Sequence, residues 1–114
     1  MPNIIKLTPE DQDLLMNQIA ENYCYKTDRK LRRRESKQRM SEYYIDAIEK
    51  IDQNYIEVRH PKNNFFVWLE DQLAHSHKSQ YDSPDCQRAR EICRAASQGR
   101  YDDLVKQRLW RCQP

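Results

Sequence analysis

The stretch that decides the fold is SPDCQRAREICRAASQG, residues 83–99, because it carries both the start and the stop signals of a helix. Ser83 is a typical N-cap, Pro84 suits the first helical position, and the negative charge of Asp85 complements the helix dipole. Gly99 is typical of the residue that follows a helix. The spacing between these signals predicts a helix whose small-residue face lets a second helix approach closely. That face consists of Cys86, Ala89, Ile92, Cys93 and Ala96.

Helical signals also occur on both sides of this stretch. Thr8 and Pro9 form a second helix start, and Leu15, Ile19 and Tyr23 follow at intervals of four residues. Two more apolar segments at helical spacing run from about 64 to 73 and from 101 to 110, whereas 75–82 is polar and reads as a loop. The chain therefore reads as a series of amphipathic helices.

The longest predicted helix has an apolar stripe at alternating intervals of four and three residues. Its members are Tyr44, Ile48, Ile51, Tyr55 and Val58. Proline disfavours helical geometry at the residue before it, so the helix is expected to stop near His60, which precedes Pro61. We interpret the stripe as a helix-pairing seam that serves self-association or a partner helix.

Hairpin signals are missing from the chain. It has one glycine in 114 residues, and no Asn-Gly or Asp-Gly dipeptide marks a tight turn between strands. We predict an all-α fold, a small bundle of four or five helices with one long, charge-segregated helix. A chain of this length accommodates one modest core, so residues 1–114 are predicted to form a single domain.

The strongest charge signal is KTDRKLRRRESKQR, residues 26–39, which carries a net charge of +6 in a chain whose total is +2. Clustered lysine and arginine displace the counterions of a phosphate backbone, which predicts a nucleic-acid surface. The run Arg32-Arg33-Arg34-Glu35-Ser36-Lys37 resembles the arginine-rich motifs of small RNA-binding proteins. The alternative is a solvated basic helix end. The candidate partner- or phosphate-binding residues are Lys26, Arg29, Lys30, Arg32, Arg33, Arg34, Lys37 and Arg39.

Two further features accompany the basic segment. Tyr25 and Tyr43 flank it and are candidates for stacking on bases. Acidic residues, among them Glu42, Asp46 and Glu49, follow in the second half of the long helix, so both halves oppose the helix dipole. Two such helices packed antiparallel would set each basic half against an acidic half.

Catalytic and cofactor chemistry has little support in the sequence. A single glycine excludes phosphate-binding loops and nucleophile elbows, so we predict no enzyme and no cofactor. Cys86 and Cys93 are about 10.5 Å apart in helical rise, too far to share one metal ion. We therefore predict no metal site. A set of His75, His77, one of these cysteines and either Cys24 or Cys112 stays open.

The cellular setting follows from similar arguments. The chain has no run of about 18 apolar residues and no signal-peptide pattern at its start, which predicts an intracellular, cytoplasmic protein with no membrane partner. Its four cysteines are then expected to be reduced. We predict a small non-enzymatic regulator, adaptor or inhibitor that binds a protein partner through the charge-segregated helix. The alternative is a regulatory protein that binds RNA or DNA through residues 26–39.

Overall fold

The chain is mostly helical. A computed structural model describes the backbone of residues 3–29 and 34–111 and the side chains of residues 3–25 and 41–108. Within these ranges there are six helices and two short strands. In chain order they are β1 (Asn3–Ile5), α1 (Pro9–Arg29), α2 (Arg34–Gln53), β2 (Ile56–Val58), α3 (Phe65–Ala74), α4 (Lys78–Tyr81), α5 (Pro84–Ser97) and α6 (Tyr101–Arg111).

Helix α5 lies at the centre of the core, and its predicted boundaries are confirmed. The Ser83 hydroxyl accepts a hydrogen bond from the backbone nitrogen of Cys86 at 3.1 Å, which caps the helix. Gly99 has a φ of 73°, the left-handed conformation that glycine adopts without strain. The predicted small-residue face is buried throughout and packs mainly against α3 and α1.

Helix α3 packs against α5 and supplies a second set of apolar side chains to the core. The Asn64 side chain caps it by accepting hydrogen bonds from the nitrogens of Phe66 and Val67. Phe66, Leu69 and Leu73 follow at intervals of three and four residues, and all three are buried. This arrangement confirms the apolar helix predicted from about residue 64.

A two-stranded antiparallel sheet corrects the all-α prediction. Strands β1 and β2 pair with Ile5 opposite Ile56 and Asn3 opposite Val58. Ile56 and Val58 are buried whereas Glu57 between them is exposed, which is the alternation of a strand with one covered face. The prediction that residues up to Val58 continue a helix is therefore wrong.

The end of α2 explains this difference. The helix stops at Gln53 because Asn54 takes a φ of 53°, in the left-handed region, which breaks the helical hydrogen-bond pattern. The chain then enters β2. A second correction concerns residues 75–82, predicted as a loop, where the structure has the short helix α4 of four residues, which brings the described helices to six against the four or five that were expected.

Buried polar side chains join α1 to its neighbours. Tyr44 donates a hydrogen bond to Oδ1 of Asn22, whose Nδ2 donates to the backbone carbonyl of Gln72 at 3.0 Å. Because Asn22 and Tyr44 are buried, this chain of bonds fixes α1, α2 and α3 against one another. Burial also raises the pKa of the Tyr44 phenol to about 12.

A buried carboxylate joins the start of α1 to α6. Asp11 is fully buried and accepts hydrogen bonds from the Tyr101 hydroxyl at 2.6 Å and from Nη1 of Arg108 at 2.9 Å. The Tyr101 oxygen in turn accepts from the backbone nitrogen of Thr8 at 2.9 Å. The Asp11 charge is thus paired and hydrogen-bonded, as a buried charge must be.

Candidate docking surface on the second helix

Exposed apolar side chains are concentrated in and just after α2. Among the side chains described, five large apolar or aromatic ones are exposed, and four of them lie between residues 43 and 55. The exposed fractions are 61% for Tyr43, 57% for Ile45, 36% for Ile48, 62% for Tyr55 and 41% for Tyr81. Single exposed apolar residues are ordinary, but a cluster on one element is typical of a binding surface.

Helix α2 carries two apolar stripes, of which the first is buried and the second is exposed. Tyr44, Ala47 and Ile51 form the first stripe and are buried against the rest of the fold. Ile45 follows Tyr44 by one residue, which rotates it about 100° around the helix and out of the core. Ile48 lies three residues after Ile45, so both side chains project on the same flank.

Acidic residues surround the two isoleucines. Between residues 41 and 53, Glu42, Asp46, Glu49 and Asp52 are exposed, against a single lysine, Lys50. The Lys50 ammonium lies 3.1 Å from the Asp46 carboxylate and is therefore already paired. The outer surface of this half of α2 is consequently both apolar and negatively charged, which favours a partner with apolar and basic groups.

An open groove of about 550 Å³ lies on the other flank of α2, against α3. It is lined by three aromatic side chains, Tyr43, Phe65 and Trp68, together with Asp46, Ala47, Lys50 and Asn64. The Lys50 ammonium lies 5.5 Å from the centre of the Phe65 ring, within range of a cation–π contact. Tyr43, predicted to stack on bases, is thus exposed and lines an aromatic groove.

The five residues of the predicted helix-pairing seam are partly buried in the core and partly exposed. Tyr44, Ile51 and Val58 are buried in the core of the same chain and are not available to a partner. Only Ile48 and Tyr55 are exposed, and Tyr55 follows the end of the helix. The prediction that these five residues form one face of one helix is wrong. The residue that sequence reasoning missed is Ile45, whose spacing of three from Ile48 was the available signal.

The structure describes the side chain of Tyr25 but not those of the basic segment that follows it. Tyr25 is half-buried, and its ring lies edge-on to the His77 ring with 5.3 Å between the ring centres. The predicted basic residues 26–39 have side chains outside the described residues, so their role stays a prediction. Of these, Lys26 and Arg29 belong to α1, Arg34, Lys37 and Arg39 belong to α2, and Lys30, Arg32 and Arg33 lie outside the described backbone.

The described cysteines and histidines do not form a metal-binding cluster. Cys86 and Cys93 are buried free thiols, and burial raises the pKa of both, that of Cys93 well above its usual value. His75 and His77 are exposed, and Nδ1 of His77 lies 2.7 Å from the hydroxyl of Ser79. No three metal-ligating side chains among those described lie close enough to hold an ion.

Comparisons with protein families, curated proteins and solved structures gave no match to this chain. Within the described ranges, no helix combines the length and the apolar content needed to cross a bilayer.

Proposed function

We propose that this chain is a non-enzymatic regulator, adaptor or inhibitor that docks a protein partner on the outer surface of α2. The observation that supports it is the pair Ile45 and Ile48, which stand exposed side by side on a helix whose other apolar stripe is already buried. Covering their exposed parts is equivalent to burying about one isoleucine, worth about 2 kcal/mol. A surface of this kind contributes to binding and is otherwise unfavourable to leave in water.

The charges around the isoleucines define the partner's chemistry. Glu42, Glu49 and Asp52 are exposed beside Ile45 and Ile48. A partner that brings lysine or arginine to these acids associates faster and with more specificity than a neutral one. The partner we propose is therefore an apolar helix or strand flanked by basic residues.

The non-enzymatic part of the proposal rests on the sequence. Its single glycine leaves no phosphate-binding loop and no nucleophile elbow. The proposal also includes a reducing, cytoplasmic location. This part of the proposal carries over the expectation from the sequence that the cysteines are reduced.

Nucleic-acid binding through residues 26–39 is the alternative function. It is favoured by the net charge of +6 in that segment. The acidic residues that follow in α2 would repel a phosphate backbone, so we place this function second.

Affinity capture from cell extract tests the docking proposal with three baits. They are the wild-type chain, the double variant Ile45→Ser plus Ile48→Ser, and Tyr81→Ser, a matched control because Tyr81 is exposed elsewhere. We expect a protein that the wild type and the control bind, that the double variant loses, and that binds the purified chain directly. If the double variant keeps every partner, the docking proposal is wrong.

Oligonucleotide titration tests the alternative in parallel. Binding that weakens steeply between about 50 and 200 mM salt would support a nucleic-acid surface. Loss of that binding in a variant with glutamate at Arg32, Arg33 and Arg34 would assign it to the basic segment. We expect no such binding if α2 is a protein-docking helix.

A further inference from the structure

The two ends of α2 carry opposite charges. Arg34 and Lys37 lie in its first turn, whereas Glu49 and Asp52 lie near its end, where the only base, Lys50, is paired with Asp46. Positive charge at a helix start and negative charge at its end are both unfavourable for an isolated helix. The same distribution becomes favourable when a second helix of identical sequence runs antiparallel beside it, because each end then meets its opposite.

We propose that the partner of the α2 surface is a second copy of this chain, bound through α2 in antiparallel orientation about a two-fold axis at the level of residue 43. This inference rests on the proposed docking function and identifies its occupant. Residues equally far from position 43 then lie at the same level, Arg34 beside Asp52 and Lys37 beside Glu49. A two-fold interface of this kind is self-complementary.

The exposed isoleucines fit this register. Ile45 lies two residues from the axis, so the two Ile45 side chains of the dimer are about 6 Å apart along the helices and meet at the centre. Ile48 follows on the same flank and extends the apolar centre in both directions. The interface thus has an apolar middle and charged ends, as protein interfaces commonly do.

A competing register is disfavoured by charge. Centring the pair between residues 46 and 47 would set Ile45 level with Ile48 of the other copy. That register also overlays the acidic halves of both helices and leaves Arg34 and Lys37 without acids at their level. Like charges at close range are destabilising, so the register centred on position 43 is preferred.

A single pair of helices buries little surface, which predicts a weak and reversible dimer in the micromolar range. Because its end contacts are between opposite charges of the two copies, raising the salt from about 50 to about 500 mM weakens it. Self-pairing of this kind also hides Ile45 and Ile48 in the absence of any other partner.

Charge-reversed variants test the proposal by sedimentation equilibrium at about 100 µM protein and low salt, where exposed charges are least screened. The acidic variant is Arg34→Glu plus Lys37→Glu, and the basic variant is Glu49→Lys plus Asp52→Lys. We expect the wild type to show twice the chain mass of 13.9 kDa and each variant alone to show the single mass. An equimolar mixture of the two should regain the double mass, because each reversed charge in one variant then faces its opposite in the other. Circular dichroism confirms that both variants are folded.

Three results would overturn self-pairing: a monomeric wild type, variants that stay dimeric alone, or a mixture that stays monomeric. None of these decides the docking proposal, which depends on the Ile45 and Ile48 variants in the capture experiment. A monomeric wild type whose double variant loses a purified partner keeps the docking proposal and removes the second copy as its occupant. A double variant that keeps its partners removes the docking proposal itself.

Discussion

The side-chain amide of Asn54 pairs with the backbone of Leu7 through two hydrogen bonds. Its Oδ1 accepts from the Leu7 nitrogen at 2.7 Å, and its Nδ2 donates to the Leu7 carbonyl at 2.8 Å. The backbone of the same residue adopts the left-handed φ of 53° that ends α2. Asparagine suits both tasks, because it tolerates this conformation better than most residues and carries a donor and an acceptor. One residue thus ends the helix and fastens the segment that follows β1.

Replacing Asn54 separates these two contributions. Asn54→Gly keeps the backbone conformation and loses both bonds to Leu7, so we expect the free energy of unfolding to fall by about 2 kcal/mol. Asn54→Ala loses the same bonds and adds strain at positive φ, for a fall of about 3 kcal/mol. Urea unfolding of the wild type, Asn54→Gly and Asn54→Ala measures the three free energies of unfolding, which we expect to decrease in that order.

Gly99→Ala is the control for the strain alone. Gly99 has a φ of 73°, and an added Cβ would meet nothing within 4 Å, so only the conformational cost of about 1 kcal/mol is expected. If Asn54→Gly is as stable as the wild type, the bonds to Leu7 contribute nothing and the helix end is fixed by the backbone alone.

The helices were predictable from sequence where their signals are local. The cap at Ser83 and the stripe of α3 depend on residues a few positions apart, and both are confirmed. The end of α2 was not predictable in this way, because Tyr55 and Val58 continue the helical spacing. The helical spacing is overridden because Ile56 in β2 pairs with Ile5 in β1, about 50 residues earlier. Local periodicity does not reveal a contact between residues so far apart in the sequence.

The candidate docking surface was predictable only in part, for a related reason. Ile48 belonged to the predicted seam, but Ile45 did not, because it lies outside the single stripe that runs from Tyr44 to Val58. Spacing shows which residues share a flank of a helix, and it does not show which flank the rest of the chain covers. Tyr44 is buried because it packs against Tyr23 of α1 and Trp68 of α3, whereas Ile45 remains exposed.

Asp11 is expected to be the most sensitive charged residue among those described. Asp11→Ala leaves Arg108 without its buried acceptor and Tyr101 without the oxygen to which it donates. We expect the free energy of unfolding to fall by about 3 kcal/mol. Asp13→Ala, an exposed aspartate two residues away, is the control and should change stability by less than about 0.5 kcal/mol. Equal losses in both variants would contradict a special role for the buried carboxylate.

The hydrogen-bonded group of Asp11, Tyr101 and Arg108 also predicts loss of stability in acid. Burial raises the pKa of the Asp11 carboxyl, but hydrogen bonds from Arg108 and Tyr101 and the charge of Arg108 outweigh it and hold the pKa below its ordinary 3.8. A folded pKa below the unfolded value means that the stabilisation is complete above pH 3.8. It is lost as the pH falls below that value and through the folded pKa.

Urea midpoints measured in steps from about pH 6 to pH 2 test this linkage. The stability difference between the wild type and Asp11→Asn should be constant at the upper end and shrink as the pH falls below 3.8. A difference that stays the same at every pH would show that the carboxylate charge does not contribute to folding.

The buried thiols are predicted to be unreactive in the folded chain. Cys86 and Cys93 are both fully covered, and burial raises the pKa of each thiol, so little thiolate forms and no reagent reaches it. A chain with Cys24→Ser and Cys112→Ser retains only these two cysteines. We expect no fast reaction with a thiol-specific disulfide reagent at neutral pH, and reaction of both thiols once urea unfolds the chain. The buried thiols react only when the chain opens, so the rate of this slow reaction reports unfolding. The rate should therefore be higher in destabilised variants such as Asp11→Ala. One fast thiol in the native chain would contradict the packing of α5 against α3.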